Sequence, residues 1–189
     1  MAIGVALDSL AVYVNKDNPT QSVSLPQVDA IFSKNRKGGY ESDIATWGKA
    51  GLTGNWADKP ISHYGRNSAS GTYGYFKQTA LFKGDYKDTV KEQPGSASVV
   101  LGVTEDLAGV GYSGIGYKTS GVKALALAKE DGGEASEPNY ENVLKGKYPL
   151  GRMLYIYVLK QPGLPLPALT REFLKLVLSA EEMSSMAYV

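Results

Sequence analysis

Leu150-Gly151-Arg152-Met153-Leu154-Tyr155-Ile156-Tyr157-Val158-Leu159-Lys160 is the strongest strand signal in the chain. Its two alternating sets, Leu150/Leu154/Ile156/Val158 and Met153/Tyr155/Tyr157/Leu159, are both mainly apolar. A strand with one face in water alternates apolar with polar residues. An apolar pattern on both sides predicts a strand covered on both faces, as in an α/β sheet. Working outward, residues 161–167 contain three prolines and suit neither a helix interior nor a central strand. Beyond them Leu169, Phe173, Leu176, Val177, Ala180 and Met183 mark one amphipathic helix.

Toward the N-terminus, residues 139–147 read as a short helix and residues 129–138 as an acidic surface loop. Residues 122–128 and 110–117 read as strands separated by the turn Thr119-Ser120-Gly121. Helices are predicted over 98–107, where Val99, Val100, Val103 and Leu107 recur at helical intervals, over 72–82, and over 43–51 around Trp47. Ser24 and Gln27 have capping-box spacing ahead of Leu25, Val28, Ile31 and Phe32. Residues 3–14 and 60–65 read as strands, and residues 35–40 as a basic, glycine-rich loop. Strands thus alternate with helices, which favours α/β architecture.

Composition bounds the function. The 189 residues are 43% hydrophobic and 21% charged, enough for a core without metal or disulfide support. A net charge of +1 argues against a nucleic-acid coat or a polybasic membrane anchor, so any anion site must be local. Without cysteine there is no disulfide, thiolate metal site or cysteine nucleophile. No stretch approaches the roughly 20 apolar residues of a membrane span. The apolar start carries Asp8 and reads as a strand, so an export signal, if the parent protein has one, is expected to have been removed.

The segment Gly65-Arg66-Asn67-Ser68-Ala69-Ser70-Gly71-Thr72 lies between a predicted strand and a predicted helix. A helix start has unpaired N–H groups and a partial positive charge, so an anion placed there meets several donors. Gly71 permits close approach of the backbone, the hydroxyls of Ser70 and Thr72 add donors, and Arg66 supplies a planar fork. Ser68 is a further donor on the same loop. A serine N-cap preceded by a surface arginine accounts for the same residues. Gly95-Ser96 precedes the helix at 98–107, so Ser96 is either a second cleft-facing donor or an ordinary cap residue. His63 is the only histidine, which excludes a histidine metal cluster; no cofactor, metal or catalytic residue is expected.

Arg66 to Thr72 resembles the Arg-x-x-x-Ser-Gly-Thr phosphate-binding motif of phosphate ABC-transporter substrate-binding proteins, the periplasmic phosphate-binding family. Ser24-Leu25-Pro26-Gln27-Val28-Asp29-Ala30-Ile31-Phe32 resembles the first helix of that family's second lobe. Ala108-Gly109-Val110-Gly111-Tyr112-Ser113-Gly114-Ile115-Gly116-Tyr117 resembles its Gly-x-Ile-Gly-Tyr strand.

The resemblance, from about Val5 to Ala180, implies an α/β periplasmic-binding-protein-like lobe with a mixed central sheet flanked by helices. Residues 1–160 would form the second lobe with its hinge strands. Residues 161–189 would be a linker and C-terminal helix normally associated with the first lobe. It implies a non-enzymatic receptor, periplasmic or extracellular and associated with the cell envelope, that binds inorganic phosphate and delivers it to an ABC permease. Arg66, Ser70, Gly71 and Thr72 would touch the anion. Asp8 is the nearest acidic acceptor by family position, against its plain reading as a turn residue.

The first-lobe segments that supply the remaining donors precede Ile3 in the family, so weak binding is expected here. A homodimer or domain swap through the C-terminal helix is the expected way to cover that helix. Competing readings are a receptor for sulfate or another oxyanion, a phosphoryl-group enzyme using Arg66 as a charge clamp, and a lobe that no longer binds anions.

Overall fold

The computed structural model describes residues 1–179. Eight strands and five α-helices follow in the order β1 (Ala2–Asn15), β2 (Ser22–Ser24), α1 (Leu25–Phe32), β3 (Ser62–Arg66), α2 (Gly71–Thr79), β4 (Lys91–Gln93), α3 (Ser96–Glu105), β5 (Gly109–Gly114), β6 (Val122–Ala124), β7 (Ala126–Ala128), α4 (Tyr140–Leu144), β8 (Gly151–Tyr157) and α5 (Ala168–Val177). The main sheet runs β4-β3-β5-β1-β6, with β4, β3 and β5 mutually parallel and β1 antiparallel to β5 and β6. This is the mixed sheet expected of the α/β lobe. β2 and β7 form a small parallel pair beside it.

Alternation along β1 builds both layers. Leu10, Val12 and Val14 enter a core with Val28, Ile31 and Phe32 of α1 and with Phe76 and Tyr112. Ala11 and Tyr13 face the other way, onto Val99, Val100 and Val103 of α3. The capping box of α1 forms as its spacing predicts: Gln27 N donates to Ser24 Oγ and Ser24 N donates to Gln27 Oε1.

The segment around Trp47 is not a helix. Trp47 N and Gly48 N donate to Lys59 O and Ala57 O across the chain, both at 3.0 Å, and Thr46 bridges Pro60. A Cβ on residue 48 would lie 2.3 Å from Ala57 O, so close strand-like approach replaces the helical turn. Trp47 is nonetheless fully buried, its indole N–H donating to Ala108 O at 3.1 Å.

Other boundaries shift for local reasons. α2 ends at Thr79, before Phe82 and Lys83 adopt left-handed φ of 49° and 62°. The strand expected over 122–128 splits at Leu125, which donates to Val12 O and is buried, leaving β6 and β7 in different sheets. α3 begins two residues early and stops at Asp106, so Leu107 is 44% exposed instead of buried.

β8 departs most from expectation. It pairs antiparallel with the first half of β1, from Ala2↔Tyr157 to Ser9↔Gly151, as a two-strand ribbon outside the α1 and α3 layers. One face is open, with Met153 43%, Tyr155 53% and Tyr157 80% exposed, while on the other Arg152 and Ile156 are half-buried. α5 reaches this ribbon through Leu174, which shares a cavity of about 480 Å³ with Met1, Ile3, Leu166 and Leu178. The stripe predicted to be buried is open, with Leu169 85%, Phe173 51% and Leu176 60% exposed. Ala180 and Met183 lie outside the described residues.

Candidate functional site

Three parallel strands end on one edge of the sheet. β3 ends at Arg66 and leads into α2, β4 ends beside it in the register Arg66↔Gln93 and leads into α3, and β5 ends at Gly114. The carboxyl edge of such strands is where α/β folds bind ligands, because the following helices point their N-termini there.

Apart from Asp8, the predicted residues lie along this edge, on the end of β3, the loop after it and the starts of α2 and α3. Ser70 is the N-cap of α2, its Oγ accepting from Thr72 N at 3.1 Å. Accepting that bond leaves the hydroxyl proton available to a ligand. Gly71 is exposed, and a Cβ there would meet nothing within 4 Å, so its bare backbone faces open space. The cap and the cradle readings are therefore compatible on one serine. Ser68 is exposed on the loop between β3 and α2.

Arg66 is held from below and from the side. Its backbone N donates to Tyr112 Oη at 3.3 Å. Its Nη1 donates to Ser96 Oγ at 2.8 Å and its Nη2 to Pro94 O at 3.3 Å. Both side-chain partners are neutral, so the guanidinium keeps its charge uncompensated by them. Its Nε is buried without a partner among the described residues. Five N–H donors with two occupied leave a cation fixed in place that still has donors to give.

Ser96 thus joins the site through Arg66 and at the start of α3, whose N-cap Gly95 offers no side-chain bond to the first turn. Ser113 of β5 donates to Ser96 O at 3.3 Å. Asp8 lies elsewhere, on β1, with Oδ2 accepting from Arg152 Nε at 2.8 Å.

The residue that sequence reading missed is Tyr112. Its ring stacks on Phe76 of α2 at 3.8 Å and is fully buried, and burial pushes its hydroxyl up to about 12. It therefore stays protonated under Arg66. Gly65 allows this: a Cβ there would lie 2.9 Å from Tyr112 Cε1 and 3.0 Å from Val90 Cγ1. His63 lies three residues before Arg66 on β3, edge-on to Phe32 at 5.6 Å, and burial pulls its imidazole down to about 4. It is a neutral core residue.

Helices cover both faces of the sheet, and at its carboxyl edge an arginine is bonded to the start of α3, the kind of edge at which α/β folds bind ligands. The sequence profile of the PBP superfamily domain matches residues 1–181, and the chain belongs to that superfamily. It is 58% identical over 178 residues to the phosphate-binding protein PstS of Pseudomonas aeruginosa, covering 94% of this chain and 55% of the relative. Protein SphX of Synechococcus elongatus is 32% identical over 161 residues, 83% of this chain and 46% of the relative.

Among solved structures, a substrate-binding protein of Clostridium perfringens with bound phosphate superimposes with a TM-score of 0.74 at 26% identity, covering 97% of this chain and 68% of that one. An ABC-type phosphate transport receptor of Vibrio cholerae shares the fold, with a TM-score of 0.73 at 23% identity over 96% of this chain and 67% of that one. The chain spans about half the length of the curated relatives it matches.

Proposed function

We propose that this chain is the second lobe of a phosphate ABC-transporter receptor and binds inorganic phosphate on the edge formed by Arg66, Ser70, Gly71 and Thr72. The observation that carries this reading is the Arg66 guanidinium, fixed by Ser96 and Pro94 at the start of α3 with donors to spare, four residues ahead of the α2 cap Ser70. A phosphate placed there would take N–H donors from Arg66 and from the backbone at Gly71, and O–H donors from Ser70 and Thr72. The names of the relatives support phosphate as the oxyanion.

In a longer protein, residues 1–160 would form this lobe and its hinge strands. Residues 161–189 would be a linker and helix packing against a first lobe. The receptor would work outside the cytoplasmic membrane and hand phosphate to an ABC permease, without chemical turnover. Isothermal titration with phosphate and sulfate, run beside a phosphatase assay, tests the reading. Heat of binding for phosphate and no hydrolysis are expected. Binding of sulfate alone would make it another anion's receptor, and hydrolysis would make it an enzyme.

A further inference from the structure

We infer that Asp8, Arg152 and Tyr75 form a latch that sets the position of α2, and through it Ser70, Gly71 and Thr72; this rests on the oxyanion site proposed above. The three side chains come from three elements. Asp8 and Arg152 are directly opposed in the β1–β8 ribbon, and Asp8 Oδ2 accepts from Arg152 Nε at 2.8 Å and Nη2 at 2.7 Å. The Arg152 guanidinium lies 4.9 Å from the centroid of the Tyr75 ring on α2. The Tyr75 hydroxyl donates to Gly151 O at 2.8 Å, so ring and hydroxyl grip neighbouring residues of β8.

Tyr75 is four residues beyond Gly71, one turn along the same helical face. A continuous set of contacts therefore runs from the ribbon to the first turn of α2. N–H groups at a helix start serve an anion only if the helix cannot slide or roll, and this latch is what fixes α2 against the ribbon. The ion pair is only about a quarter exposed, 25% and 26% for its two side chains, so it is screened less than a surface pair. Asp8 Oδ2 takes both guanidinium donors, so the carboxylate holds the Arg152 fork over the Tyr75 ring.

The test is to titrate phosphate and sulfate into the chain carrying Asp8→Asn, Tyr75→Phe or both, with Arg66→Ala as control and Tm measured without ligand. Each single change is expected to weaken both anions by the same factor, about 3- to 10-fold. The double variant should lose little more than either single, because both act through one set of contacts. Tyr75→Phe keeps the ring and the fold, so it remains informative if Asp8→Asn is poorly folded. A lower Tm with unchanged affinities would reduce the cluster to a structural one and overturn the inference. Weaker phosphate with stronger sulfate would overturn it differently, by showing that Asp8 meets the ligand's proton. Should Arg66→Ala leave phosphate binding intact, the oxyanion site itself fails, and the latch fails with it.

Discussion

Arg66 and its neighbours give the sharpest expectations. Arg66→Ala should abolish most phosphate binding in a calorimetric titration, and Arg66→Lys should restore little, because an ammonium cannot bond Ser96, Pro94 O and an anion in one plane. Gly65→Ala should drive the Tyr112 ring off Phe76, costing about 1–3 kcal/mol in urea unfolding and weakening phosphate as Arg66 shifts. His63 gives a pH signature. Its folded value of about 4 lies below the unfolded value near 6.5, so between these the unfolded chain binds more protons. Stability is fully present above about pH 6.5 and is lost as pH falls toward 4, by up to about 3 kcal/mol. The buried Asp29 carboxyl, raised by desolvation, acts in the opposite sense, so comparison with His63→Gln isolates the histidine. Urea unfolding at several pH values should show a flatter profile for that variant. The strand end at Arg66 and the cap at Ser70 were legible because their signals are local to seven residues. Tyr112 was not, since its role depends on the register of β5 against β3 and on the missing side chain of Gly65, neither of which a linear pattern encodes.

The helices and strands were legible where local signals agree. Ser24 and Gln27 marked the start of α1, and both halves of the box form. Ser24→Ala should cost about 1–2 kcal/mol in denaturant, since it removes the cap and the bond from Ser24 Oγ to Asp131. An unchanged midpoint would mean that Pro26 and burial alone hold the helix start. The Trp47 segment misled because its backbone bonds to residues 57 and 59, a pairing between segments that periodicity cannot detect. The doubly apolar pattern of β8 was read as interior strand, yet the ribbon it forms with β1 extends past the α1 and α3 layers and leaves one face open. That pattern reports what the strand requires, and the described residues do not supply it.

That requirement governs the behaviour of the molecule as a whole. Tyr157, Leu159 and Leu169, at 80%, 94% and 85% exposure, belong to a broad apolar surface along the ribbon and α5. Patches of this kind promote association. Light scattering over a range of concentrations should show self-association that Leu169→Glu with Phe173→Glu suppresses; a monomer at every concentration would contradict this. Phosphate affinity should be modest, because one edge leaves part of the anion facing water. A Kd near the millimolar range, about −4 kcal/mol, and falling affinity with added salt are expected. A crystal structure of this chain soaked in phosphate is the most direct measurement. The phosphorus should lie between the Arg66 guanidinium and the first turn of α2, with its oxygens within hydrogen-bond reach of Gly71 N and the Ser70 and Thr72 hydroxyls. Phosphate ordered elsewhere with this edge left to water, at a concentration that saturates binding in solution, would contradict the assignment.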